Sequence, residues 1–95
     1  MKRIFKVDQD GIDNGIQDTI GFCPVALSIK KMYKGVMVST TSITFGFGPT
    51  EIEFENTEEL EQWIRDFDDS KKVEPMEVCL DFDQSIASLQ EVSNV

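Results

Sequence analysis

Apolar positions recur along this chain with two different periods. Between Asn56 and Asp69, Leu60, Trp63, Ile64 and Phe67 fall at i, i+3, i+4 and i+7, one stripe of an α-helix. Asn56 is the candidate N-cap, and Glu59 three residues later completes a capping box. The opposite side carries Glu58, Glu59, Glu61, Arg65, Asp66 and Asp69, so it faces water or a basic partner. A second helix is predicted to start at Cys23. There Pro24 suits the first helical position and Gly35 the exit. Val25, Ala26, Ile29, Met32 and Tyr33 form its apolar face, with Lys30, Lys31 and Lys34 pointing outward.

Elsewhere the period is two. Lys2 to Val7 reads as a short strand, with Phe5 and Val7 on one side and Ile4 on the other. Val36 to Glu55 reads as a three-strand meander. Val36 and Val38, then Ile43, Phe45 and Phe47, then Ile52 and Phe54 share its apolar face, and Glu51, Glu53 and Glu55 point away. Met76 to Phe82 is a last strand, with Met76, Val78, Leu80 and Phe82 inward and Glu77, Cys79 and Asp81 on the other side. Residues 8–21, rich in Asp, Gly and Asn, read as a turn or short helical turn leading into a loop. Residues 84–95 read as a polar C-terminal tail, either frayed or docked as a short helix through Ile86 and Leu89. This order predicts one α+β domain over residues 1–83. Its expected sheet is mainly antiparallel, with four or five strands, two helices on one face, and the ferredoxin-like (split β-α-β) order.

Charge changes what such a domain is expected to do. Eighteen acids against nine bases leave a net charge of −9, and nine of those acids against one base lie between Glu51 and Asp69. Direct binding to nucleic acid or to an anionic membrane draws on a basic surface and is disfavoured. The expected partner is a protein with a basic surface. The candidate contact residues are Glu51, Glu53, Glu55, Glu58, Glu61, Asp66 and Asp69; self-association into a homo-oligomer is left open. The opening MKRIFKVDQD lacks a long apolar stretch after its bases, and no apolar run approaches a membrane span. Two cysteines make no disulfide framework. A cytoplasmic location is the expectation.

Candidate chemistry is sparse. The chain has no histidine, the commonest general base and transition-metal ligand. The segment DQDGIDNG resembles a calcium loop, but the register from Asp8 puts Ile12 at a ligand position, Asp13 at the glycine position and Thr19 at the closing acid. Cys23 sits where a helix dipole can lower a thiol pKa, yet no base accompanies it, and a small buried residue before Pro24 is the favoured reading. No Gly-rich loop precedes the lysines to make a phosphate site. Same-face neighbours on a strand stand roughly 7 Å apart, so the three glutamates read as a solvated face. No catalytic residue, metal ligand or cofactor is assigned, and an enzyme is not expected.

Three segments carry a resemblance. Cys23-Pro24-Val25-Ala26, then Trp63-Ile64-x-x-Phe67-Asp68, then Val73-x-Pro75-Met76-x-Val78 resemble a group of small bacteriophage and mobile-element proteins without an assigned activity. In that group Phe stands where Trp63, Met76 and Val78 stand here. These exchanges keep apolar volume, so they bear on packing more than on chemistry. The resemblance spans most of residues 4–82 and implies a phage-like origin but no residue roles. Together with the charge it points to a small acidic regulator or inhibitor. Such a protein would imitate the charge of a nucleic-acid backbone and block a host defence or nucleic-acid-binding protein. The alternative is a protein that binds or sequesters a small molecule, between helix and sheet or at an oligomer interface.

Overall fold

The computed structural model describes residues 1–46 and 51–90; Phe47 and the Gly-Pro-Thr turn lie outside them. In chain order the elements are β1 (Lys2–Val7), α1 (Gln9–Asn14), α2 (Pro24–Lys30), β2 (Met37–Val38), β3 (Ser42–Phe45), β4 (Ile52–Asn56), α3 (Glu58–Asp68), β5 (Met76–Asp81) and β6 (Ile86–Gln90). The class is α+β, as the two periods predict. Among the described residues the strands form one six-stranded sheet in the order β1-β5-β6-β4-β3-β2. Four of its neighbouring pairs are antiparallel, and β4 runs parallel to β6. The sheet is therefore mixed and larger than the four or five strands expected. Nor does it have the split β-α-β order, since β1 is an edge strand paired only with β5.

The added strand is β6, in the stretch expected to be a polar tail or a short helix. Ile86 and Leu89 are three apart, which fits a helix, but the buried stripe here is Ala87 with Leu89 packed beside it. Ala87 is too small to register as a core position by pattern alone. The hairpin that delivers β6 is set by Asp81, whose carboxylate accepts from the backbone N–H groups of Asp83 at 2.9 Å and Gln84 at 3.2 Å. Ser85 completes the turn at φ 56°.

α2 packs against both β1 and β2, the two edges of the sheet, so the sheet curls around it. Its residues Val25, Ala26 and Ile29 share one core with Phe5, Val7, Val38, Ile43, Phe54, Val78 and Leu80, and α3 adds Leu60 and Ile64 to the same core. α2 and α3 thus cover the same face, while α1 buries none of its residues. An aromatic chain crosses the curl. Phe5 meets Tyr33 edge-on at 6.1 Å, Tyr33 stacks on Phe45 at 5.3 Å, and Phe45 stacks on Phe54 at 5.6 Å. Phe82 then meets Phe54 edge-on at 5.0 Å.

α2 stops at Lys30, one turn earlier than the apolar pattern suggests. The chain leaves through Gly35 at φ 76°, a left-handed conformation that glycine adopts without strain. Met32 is consequently exposed, while Tyr33 turns inward. Gly15 has a different reason to be glycine, because a Cβ there would lie 2.6 Å from Cδ of Pro24. Cys79 is buried but stands outside the core cluster, on the sheet's other face between Ile4 and Ser88. No helix among the described residues is long and apolar enough to cross a membrane.

Candidate functional site: the acidic helix and its two flanks

α3 begins one residue later than the capping pattern suggests. Asn56 ends β4, and its side-chain amide donates to the carbonyls of Ser39 at 3.1 Å and Thr40 at 3.0 Å. The backbone N–H of Asn56 is taken by Thr41 O, so the capping box with Glu59 does not form. Thr57 occupies the N-cap without a side-chain cap bond. The helix is held instead by burial of Leu60, Ile64 and Phe67. Trp63, expected as the largest core anchor, is only half-buried. It lies parallel to Phe67 at 6.2 Å and donates its indole N–H to Glu74 O at 3.0 Å.

The seven candidate acids do not form one face. On β4, Phe54 and Asn56 point into the core that α3 covers, so Glu53 and Glu55 point to the opposite side of the sheet. Glu51 is exposed just before that strand. Glu58 and Asp69 are exposed on the outer side of α3. Glu61 and Asp66 lie half-buried on its two flanks and already have cationic neighbours, Arg65 at 3.8 Å and Lys71 at 3.8 Å; Asp66 also accepts from Gln62 at 2.8 Å. Charge is nonetheless segregated between the two parts of the chain. Residues 1–46 hold six bases and four acids, whereas residues 51–90 hold three bases and thirteen acids.

The C-terminal end of α3 is electrostatically unusual. Asp66, Asp68 and Asp69 sit where the helix carries its partial negative charge, a placement that costs about 0.3–1 kcal/mol per acid. Only part of this is offset locally: Asp68 accepts from the backbone N–H of Asp18 at 3.0 Å, and Asp66 has its contacts to Gln62 and Lys71.

Each flank of α3 opens into a depression. One is a groove of about 340 Å³ walled by Trp63, Val73, Pro75, Met76 and Leu89. The other is a crevice of about 230 Å³ between α3 and the 15–22 loop, reaching down to Cys23. That loop is closed by the backbone bond from Ile16 N to Phe22 O at 2.8 Å. It leaves Ile16, Ile20 and Phe22 each more than half exposed. Neither the crevice nor the loop was singled out by periodicity, because three large apolar residues spread through an Asp- and Gly-containing stretch follow no period.

Cys23 caps α2 through its sulfur, which accepts from Ala26 N at 3.5 Å. Burial pushes its thiol pKa up, and the nearby Asp68 carboxylate adds to this, outweighing the backbone N–H groups of Ala26 and Val25 that lower it. The thiol activation conceivable at a helix start is thus reversed. Native Cys23 should react with iodoacetamide at mildly alkaline pH about a hundredfold or more slowly than in unfolded chain, measured by mass spectrometry of the Cys23 peptide. Since the raised pKa favours the protonated fold, this contribution is intact below the unfolded thiol pKa. It is lost as pH rises through the native value. A Cys23→Ala variant should therefore lose less stability than the parent above about pH 9.

No cluster of three or more Cys, Asp or Glu side chains among the described residues is placed to hold a metal ion. Compared with protein-family models, curated proteins and solved structures, the chain gives no match.

Proposed function

We propose that this chain is a small acidic protein-binding regulator or inhibitor whose α3 docks on a basic surface of a protein partner. The observation that carries the reading is the acidic α3 itself, with Glu58 and Asp69 exposed on its outer side and half-buried Asp66 and Asp68 joining Asp69 at a helix end that disfavours them. Local rules broken with only part of the cost offset inside the fold are expected where binding sets the sequence. The phage-like resemblance and the thirteen acids in residues 51–90 extend the proposal to a partner that itself binds nucleic acid, such as a host defence protein in the bacterial cytoplasm. On this reading the contact residues are Glu58 and Asp69, with Glu61 and Asp66 contributing less because Arg65 and Lys71 already stand beside them. Glu51, Glu53 and Glu55 belong to a second surface.

The test is a tagged pull-down from nuclease-treated bacterial lysate at low and high salt, comparing the parent chain with a Glu58→Lys/Asp69→Lys double variant. The two exchanges have opposite effects on the helix dipole, unfavourable at the first turn and favourable at the end, so the fold should survive, as circular dichroism will check. The parent should retain a stoichiometric basic protein that high salt releases, and the double variant should lose it. Equal capture by both forms would remove α3 from the interface. The alternative of small-molecule binding rests on the groove beside Trp63, whose walls are mainly apolar; native mass spectrometry showing a retained ligand would favour it.

A further inference from the structure

The geometry points to the crevice between α3 and the 15–22 loop as a socket for one lysine or arginine side chain of the partner. This rests on the docking reading above and gives it an anchor point. The crevice holds about 230 Å³. Cys23, Val38 and Ile64 form its buried end with Ile20 at the wall, Thr19, Ser39 and Thr40 add polar groups to the lining, and Asp18 and Asp68 stand at its mouth. A part-apolar crevice with an acidic rim suits a long basic side chain, whose methylenes cover apolar surface while the charged head finds oxygen acceptors at the edge.

Two further features favour a cation. Among the described residues neither Asp18 nor Asp68 has a cationic side chain within 4.0 Å, although Glu61 and Asp66 on the same helix do. The Asp18 backbone N–H also donates to the Asp68 carboxylate at 3.0 Å, which holds that carboxylate beside residue 18 and brings both acids to one opening. An incoming ammonium or guanidinium relieves that concentration of negative charge, and an anion would add to it.

The socket is preformed. Asp18 sits at φ 55°, a conformation Asp tolerates better than most residues. Gln17 ties the loop to the end of α3 by donating to Phe67 O at 2.9 Å and to Ser70 Oγ at 2.7 Å. On the other side Ile20 O accepts from Val38 N at 2.7 Å. A rigid site loses little conformational freedom when occupied, which lets a single side chain serve as an anchor in the manner of interface hot spots.

The experiment is an NMR titration of the full chain with acetyl-Ala-Lys-Ala-Lys-Ala-amide, its arginine form and its uncharged norleucine form, at low ionic strength. The lysine and arginine peptides should shift the amides of Asp18, Thr19, Ile20 and Asp68, and the norleucine peptide should not. Asp18→Asn and Asp68→Asn remove charge while keeping a left-handed-tolerant residue and a hydrogen-bond acceptor. Each should weaken binding about threefold to tenfold, with the rest of the spectrum unchanged. Shifts confined to the outer side of α3 and insensitive to both variants would overturn the socket but leave the docking reading standing. No binding of either basic peptide anywhere would sink both. Equal binding of the norleucine peptide would make the crevice an apolar site and overturn the charge argument. Dilution-dependent shifts of the same amides without peptide would give the socket to the lysines of a second copy of the chain instead.

Discussion

Removing residues 84–95 should unfold the protein. The polar composition of this segment favours the opposite expectation, a tail lost without effect, so the two readings separate cleanly. β6 stands inside the sheet, with β5 on one side and β4 on the other. It pairs with β5 over five positions, from Asp81 opposite Ile86 to Glu77 opposite Gln90. It pairs with β4 through Glu55 opposite Ile86 and Asn56 opposite Ala87. Backbone bonds from Glu55 N to Ser85 O and from Thr57 N to Ala87 O hold the end of β4 and the start of α3 to it. Without β6 the sheet splits into β1-β5, a pair of strands that is marginal in water, and β4-β3-β2, whose outer strand is just Met37–Val38. Two interior edges would be opened, which also invites aggregation. The shortened chain should show no cooperative thermal transition and no fixed near-ultraviolet circular dichroism. A melting curve like the parent's would mean that β6 contributes nothing essential.

How much of this was legible in the residues depends on side-chain size and sequence distance. α3 was readable because Leu60, Ile64 and Phe67 are large and regularly spaced, and β1, β3 and β5 because large apolar residues alternate with polar ones. β6 was not, because its one fully buried residue is Ala87. The N-cap was misplaced by one residue because Asn56 serves a tertiary contact to Ser39 and Thr40, which no local pattern announces. Strand order is set by pairings such as β4 with β6, some thirty positions apart in sequence, and periodicity carries no such information. The acids were visible as composition, but their division between two sides of the sheet follows from the direction of Phe54. The crevice required Asp18 and Asp68, fifty positions apart, to be brought to one opening.

Phe54→Ala should be the most damaging single exchange in the core. The side chain is fully buried, stacks on Phe45 at 5.6 Å and meets Phe82 edge-on at 5.0 Å. It is the middle of the aromatic chain that runs from β1 through Tyr33 to the sheet's interior. Truncation to alanine removes the transfer free energy of the ring and leaves a cavity, together costing about 3–5 kcal/mol. Loss of the edge-on pairing adds about 0.5–1.5 kcal/mol beyond area alone, within the spread of that range. Domains of this size have a total stability of roughly 5–15 kcal/mol, so the variant should stand near the edge of folding. Trp63 is the only tryptophan, half-buried on α3 and bonded to Glu74 O, so its fluorescence reports unfolding without added probes. With a urea m-value of about 1–3 kcal/mol/M, the midpoint should fall by more than about 1 M. A Phe54→Leu variant, which keeps most of the apolar volume but no ring, should lose less than half as much. If alanine and leucine cost the same, the aromatic contacts rather than the filled volume hold the curl closed. If neither shifts the midpoint, the sheet's curvature does not depend on this cluster.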